Sequence, residues 1–202
     1  MSSTVLDMSM SLDGFITGPN EGPENPLGDG GHRLHEWALG PDADKTEHHG
    51  QALDRLSGAD REVFEELMST GAVLAGRGTF EPAGGWNGDH HDGVPIFILS
   101  RHQPSPEFAR WSNVTYVGDL ESAVRQAKQS AGDKNVLVHG VSIAQWALAA
   151  GLLDELEIHL VPVLLGEGRR LFEHLGTEQR QLEPIRVVHG RDATHIRYRV
   201  RR

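Results

Sequence analysis

The sequence predicts an α/β protein: a mostly parallel central sheet with helices on both faces, three layers in all, and an antiparallel hairpin at its C-terminal end. Three observations predict it. From Val136 to Gly168 the chain reads as apolar strand, glycine turn, helix, glycine, apolar strand, with no residue to spare, which is the pattern of a parallel crossover. Short apolar runs alternate with helical stretches upstream as well, from Ala72 to Ser130, and such alternation builds a parallel sheet. Near the C-terminus the alternation stops. Ile185–His189 and His195–Val200 flank the turn-like Gly190-Arg191-Asp192, a hairpin signal.

The elements follow in order. Thr4 to Met10 is the first strand, broken by Ser11-Leu12-Asp13-Gly14. Gly18 to about Gly58 is rich in Gly, Pro, Asp and His and weakly periodic. It reads as an insertion of the lid or binding-loop kind, or as a disordered segment, with short helices near His32–Leu39 and Lys45–Leu56. Ala59–Ser69 is an amphipathic helix with Val63, Phe64, Leu67 and Met68 on one side. Ala72–Ala75 is a buried strand leading to Gly76-Arg77-Gly78-Thr79 and a short helix. Pro95–Leu99 is a strand that ends at Ser100-Arg101, Val114–Val117 is another, and Leu120–Ser130 is a helix. Val136-Leu137-Val138 is β-branched enough for a strand covered on both faces. Ile143–Ala150 is a helix closed by Gly151, and Leu156–Leu165 resumes as a strand containing Pro162. The 202 residues make one domain, 1–202, interrupted at about 18–58.

Composition narrows the function. The net charge of −10 comes with scattered Lys and Arg, which argues against nucleic acid and anionic membranes. No apolar run approaches the ~20 residues of a membrane span, and the N-terminus lacks a signal-peptide pattern. There is no cysteine, so neither disulfides nor thiolate chemistry enter. A cytoplasmic protein is expected.

Three strand ends carry anion-friendly residues. Gly76-Arg77-Gly78-Thr79 offers backbone N–H groups, a guanidinium and a hydroxyl. His139-Gly140-Val141-Ser142-Ile143 opens a helix, where free N–H groups and the helix dipole point outward. Ser100-Arg101 is the third, and ligands of open α/β sheets gather at such strand ends. Each turn taken alone also reads as an ordinary connection. Together they suit a dinucleotide stretched along the sheet edge, and Arg101 suits a 2′-phosphate, which favours NADPH. No G-x-G-x-x-G fingerprint is present. His48-His49 and Asp89-His90-His91-Asp92 have metal-ligand composition, but adjacent loop residues rarely converge on one ion, so solvated loops and no metal site are expected. His139 and His159 read as core or rim residues. Asp13 reads as a turn residue bonding nearby N–H groups. Asp60 reads as a helix-start carboxylate favoured by the dipole or as a substrate ligand.

Met8-Ser9-Met10-Ser11-Leu12-Asp13-Gly14-Phe15-Ile16, Val73-Leu74-Ala75-Gly76-Arg77-Gly78-Thr79-Phe80-Glu81, the Val136–Gly168 segment with Leu152-Leu153-Asp154-Glu155-Leu156, and Pro162-Val163-Leu164-Leu165-Gly166-Glu167-Gly168 occur in one order. In these motifs the chain resembles the dihydrofolate reductase-like superfamily, and more narrowly the C-terminal reductase domain of the bifunctional riboflavin-biosynthesis deaminase–reductase. The resemblance implies that Gly76, Arg77, Gly78 and Thr79 hold phosphate of NADPH and that Ser100 and Arg101 recognise its 2′-phosphate. His139, Gly140, Val141, Ser142 and Ile143 would cover the pyrophosphate. Asp13, Gly14, Ile16, Leu165, Gly166 and Glu167 would border the nicotinamide and substrate pocket. Asp60 corresponds to the acidic residue of the folate enzyme that binds the pterin, and the proton is expected from water or from a carboxylate such as Asp60. The family turn is often Gly-Gly, whereas His139-Gly140 stands here. The partner deaminase needs Cys ligands for zinc, so a stand-alone reductase without deaminase activity is expected.

The expected function is NADPH-dependent transfer of hydride to a C=N or C=O of a small heterocyclic substrate, pteridine or ribosylaminopyrimidine-like, as in 5-amino-6-(5-phosphoribosylamino)uracil reductase. The alternatives are a non-catalytic NADP-binding module and a true dihydrofolate reductase. A homodimer is expected, as relatives form.

Overall fold

The computed structural model describes residues 2–22, 24–41 and 53–201. Its main sheet has eight strands: β1 (Thr4–Ser11), β3 (Ala72–Gly76), β4 (Ile96–Leu99), β5 (Val114–Val117), β6 (Val136–His139), β7 (Glu155–Val161), β9 (Leu182–His189) and β10 (Thr194–Val200). They lie in the order β5-β4-β3-β6-β1-β7-β10-β9. The first six neighbours are parallel, and β10 runs antiparallel to both β7 and β9. The predicted sheet and hairpin are therefore present. A second, two-stranded sheet pairs β2 (Phe15–Thr17) with β8 (Arg169–Arg170).

The helices are α1 (Glu36–Leu39), α2 (Gly58–Met68), α3 (Arg77–Phe80), α4 (Leu120–Ala131) and α5 (Val141–Ala149). Strand side chains alternate between faces, and the two layers sort accordingly. Ala123, Val124 and Ala127 of α4 and Ile143, Ala144 and Ala147 of α5 bury one face with Leu6, Leu74, Val136, Val138 and Leu156. The opposite face carries Val63 and Phe64 of α2 with Trp37 and Leu34, and an aromatic group around Phe80 on Val73, Ala75 and Leu137. Each fully buried Leu, Val or Phe contributes about 1.5–3 kcal/mol. α4 starts where the Asp119 carboxylate accepts from the Ser122 N–H at 2.8 Å, an N-cap.

Several boundaries differ from expectation for local reasons. β7 ends at Val161 rather than Leu165, because Pro162 has no N–H to donate to a ladder. β9 starts three residues early and includes Pro184. It tolerates the proline because it is an edge strand, and the register shifts beside it, between Arg197 and Tyr198 of β10. The expected helix at His32–Leu39 divides into a 3₁₀ turn, Gly31–His35, and α1. Of the expected helix Lys45–Leu56, residues 53–55 are helical, Leu56 is not, and Lys45 to Ala52 lie outside the described residues, as do His48-His49.

Candidate active site

β4, β3 and β6 are neighbours, so the turns that leave their C-terminal ends stand side by side. Gly76 passes into α3 and Gly140 into α5. The two turns touch. Gly140 has φ +107, and a Cβ on it would stand 2.3 Å from Thr79 Oγ1. Glycine is required there twice over, by its dihedral and by the hydroxyl. No cis peptide occurs among the described residues, the His139–Gly140 bond included. Ser142 is exposed at the start of α5, whereas the Val141 and Ile143 side chains are buried in the core. These two can offer a ligand only their backbone N–H groups, and no side chain caps that helix end. Gly78 is exposed, with nothing within 4 Å of a would-be Cβ. The Arg77 side chain is exposed beside Glu81, 3.9 Å away.

A cavity of about 320 Å³ opens against these turns, lined by Gly78, Thr79, His139, Gly140 and Val141 on one side. Met8, Ile16, Thr17 and Trp86 wall it elsewhere, and Glu21, Leu27, His35 and Arg169 complete it. Its polar groups are linked. The Thr17 hydroxyl donates to Glu21 Oε2 at 3.1 Å, and Arg169 Nε lies 3.1 Å from the same oxygen. β8 carries Arg169 to that position because Gly168, at φ +136, lets the chain pass against the Thr17 carbonyl, 1.9 Å from a would-be Cβ. Trp86 is held in a left-handed backbone conformation (φ 48) by edge contacts with Phe80, His90 and His139. A non-glycine residue there stores strain, which is commonest at ligand sites.

A smaller chamber of about 130 Å³ lies behind, sharing Met8, His35 and His139 with the main cavity. Asp7, Ser9, Trp37 and His159 line its depth. His35 stands at the junction. Burial first, then the nearby His139 and His159, pushes its imidazole down to about 4, so it is neutral at physiological pH.

Other predicted residues are placed elsewhere. Asp60 is buried and does not reach either chamber. Its Oδ1 lies 2.8 Å from His195 Nε2, and its Oδ2 accepts from the Arg191 N–H at 2.9 Å. The helix-start carboxylate thus ties α2 to the hairpin turn, and the folate-type role expected of Asp60 has no geometric basis. Asp13 also turns away from the cavity. It accepts from the Ser11 hydroxyl (2.6 Å), the Gly166 N–H (2.8 Å) and the Leu165 N–H (3.2 Å). Those bonds, the hydroxyl's first, hold its carboxyl down at about 2. It ties its own turn, through Ser11, to the distant 162–168 loop. Leu165 and Gly166 belong to that fastening, and neither they nor Gly14 and Glu167 line the cavity; Ile16 does. Ser100 bonds its hydroxyl to the His102 backbone, donating to O at 2.9 Å and accepting from N–H at 3.0 Å, and Arg101 is exposed one strand beyond Gly76.

His90 and His91 are buried, not solvated as expected. Their Nδ1 atoms lie 2.8 Å apart and His91 Nε2 lies 3.1 Å from Thr70 Oγ1. Among the described residues no group of three or more His, Cys, Asp or Glu can hold a metal ion. Sequence reasoning missed Glu21, His35, Trp86 and Arg169. The one signal available was the polar insertion itself, since a lid supplies cavity residues; Arg169 carried none.

The eight-stranded, three-layer sheet with its cavity at the parallel strand ends defines a dihydrofolate reductase-like α/β protein. The RibD C-terminal domain family matches residues 3–196, and the chain belongs to that family. The uncharacterised protein YyaP of Bacillus subtilis (strain 168) is 24% identical over 177 residues, 83% of this chain and 79% of its own. A solved structure from Shewanella sp. PV-4, assigned to riboflavin biosynthesis, superposes with a TM-score of 0.68 at 22% identity over 99% of both chains. Acinetobacter baumannii RibD gives 0.62 at 17% identity, covering all of this chain and 59% of that one. The deaminase/5-amino-6-(5-phosphoribosylamino)uracil reductase of Thermotoga maritima gives 0.60 at 12%, covering 99% and 57%. The chain therefore spans a little over half of these two bifunctional-length chains. Among the described residues no helix is long and apolar enough to cross a membrane.

Proposed function

We propose that the protein is an NADPH-dependent reductase acting on a C=N or C=O bond of a small heterocyclic substrate of the pteridine or ribosylaminopyrimidine class. The observation that carries this reading is the contact of two phosphate-type turns, Gly78-Thr79 and Gly140-Val141, at the wall of the 320 Å³ cavity. That volume is at the small end of ligand sites. Membership of the RibD C-terminal domain family supports the same chemistry.

The residues present fit such a cofactor. Open space over Gly78, the exposed Arg77, the Thr79 hydroxyl and the uncapped start of α5 suit a pyrophosphate. Arg101, exposed at the next strand end, suits an adenosine 2′-phosphate. The bound dihydronicotinamide supplies the hydride. Met8, Ile16, Leu27 and Trp86 exclude water from the reacting atoms, and the Glu21–Arg169 pair with Thr17 and neutral His35 orients the substrate's polar edge. With Asp60 committed to the hairpin, the proton donor is sought elsewhere.

Fluorescence titration tests the cofactor assignment. Arg101→Ala is expected to raise the Kd for NADPH at least about tenfold, the equivalent of 1.4 kcal/mol, and to leave NADH within about twofold. Equal losses would remove the 2′-phosphate assignment. A wild-type protein that binds neither nucleotide removes the reading.

A further inference from the structure

Three buried groups and the partly buried Asp7 form a continuous line across the sheet. Asp7 on β1 lies 2.9 Å from His159 Nε2 on β7 (Oδ1 to Nε2). His159 Nδ1 lies 2.8 Å from His195 Nδ1 on β10, its direct partner in the strand register. His195 Nε2 lies 2.8 Å from Asp60 Oδ1 on α2. Both imidazoles are almost fully enclosed, 1% and 0% exposed. Trp37 covers them with ring centroids 4.3 and 4.8 Å away.

Counting protons constrains the line. Three hydrogen bonds need three protons, one each. Two ionised carboxylates and two neutral imidazoles bring only two. With both carboxylates charged, one imidazole must be doubly protonated, and it is either ring: His159 donating to Asp7 and to His195 Nδ1 with neutral His195 donating through Nε2 to Asp60, or the mirror arrangement with the charge on His195. Burial, ahead of all other causes, lowers the His195 imidazole from its ordinary value, in keeping with a neutral ring. The Trp37 indole lies nearer to His159 than to His195, 4.3 against 4.8 Å, and meets His195 in an edge arrangement, so it favours the cation on His159. The other charged or titratable groups facing His159 are Glu157 on β7 and His35 on the 3₁₀ turn before α1.

We propose that the Asp7–His159–His195–Asp60 line stores one proton, carried on His159, and delivers it to the substrate during reduction. The proposal rests on the reductase reading above. Delivery leaves from the Asp7–His159 end, because both line the 130 Å³ inner chamber that shares Met8, His35 and His139 with the main cavity. At the roughly 30 Å³ per water of the liquid, that chamber has room for a few waters to pass the proton on. When the substrate carbon accepts hydride from the dihydronicotinamide, its π pair goes to the nitrogen or oxygen, which takes the stored proton. The nicotinamide is oxidised, the substrate is reduced by two electrons, and the line is reloaded from solvent. Reloading enters at the same end, through the chamber waters to His159 Nε2, the one ring nitrogen that delivery leaves bare, because the protons on His159 Nδ1 and His195 Nε2 already point toward Asp60. Asp60 anchors the far end of the line under the exposed Arg191 turn, and Gly190 leaves it the space, since a Cβ there would stand 1.8 Å from Asp60 Oδ1.

Ring-nitrogen NMR of ¹⁵N-histidine-labelled wild-type protein, which needs no activity, tests the store. At pH 7 one buried imidazolium is expected, at His159, with His195 neutral and protonated at Nε2. Two neutral rings overturn the proposal while leaving NADPH binding intact. The delivery is tested with Asp60→Asn, which removes a negative charge from the far end. The alkaline limb of kcat is expected to move to lower pH by about one unit, with the NADPH Kd unchanged. Were Asp60 merely structural, kcat would fall by the same factor at every pH and the limb would stay, which overturns the proposal. An imidazolium in a protein that does not bind NADPH sinks the reductase reading and the delivery with it.

Discussion

At the scale of single residues, Gly140 is the tightest point of the proposed cofactor site. Its left-handed φ of +107 and the Thr79 hydroxyl, 2.3 Å from where a Cβ would stand, leave no room for alanine. Gly140→Ala is expected to cost about 1–3 kcal/mol in backbone strain, and more if Thr79 must swing away. For a chain of this size each kcal/mol lowers the thermal midpoint by about 2–4 °C, so a drop of roughly 2–12 °C is expected by calorimetry. Gly78→Ala, with open space at its Cβ, should leave the midpoint unchanged, and a matching drop there would contradict the argument. The glycine was legible in the sequence as the mouth of a helix. Its contact with Thr79 was not, because nothing local at either turn says which two turns will meet. Asp60 shows the converse: its position at a helix start was legible, but the buried histidine that claims it lies on the last strand.

At the scale of elements, the fastening of the 162–168 loop is electrostatic at one end and steric at the other. Asp13 holds Leu165 and Gly166 through their N–H groups, and Gly168 slides past Thr17 into β8. The Asp13 carboxyl sits at about 2 in the folded protein, below the ordinary 3.9 of an unfolded chain. A depressed carboxyl pKa stabilises fully above its unfolded value and loses that contribution as pH falls toward the folded one. Hydrogen exchange of the loop amides, corrected for intrinsic rate, is therefore expected to lose protection between about pH 4 and pH 2. Asp13→Asn should show the loosened loop already at pH 7; unchanged protection would show that the steric end suffices. Strands of four or more residues declared themselves through apolar runs. β2 and β8, three and two residues long, have no period to read, and their pairing depends on the glycine passage at Gly168.

At the scale of the whole molecule, parallel alternation gave away the sheet, and two of the three strand-end turns, Gly76–Thr79 and His139–Ile143, marked the edge at which the cavity opens. What local pattern could not reveal was long-range closure: Glu21 and His35 from the insertion meeting Arg169, or Asp7 meeting His159. The strand order adds a consequence for how the chain is made. β1 to β7 emerge first, yet His159 and Asp60 acquire their last partner only when β10 pairs beside β7. Until then the growing chain carries charged and polar groups inside a sheet with no one to answer them, at a cost of about 1–3 kcal/mol for each group left unpaired. A chain released after residue 180 should thus remain open and protease-sensitive through β7, and a protected β1–β7 core in such a fragment would disprove it. The hairpin of β9 and β10 acts as a seal, closing the sheet only after every strand it depends on has been made.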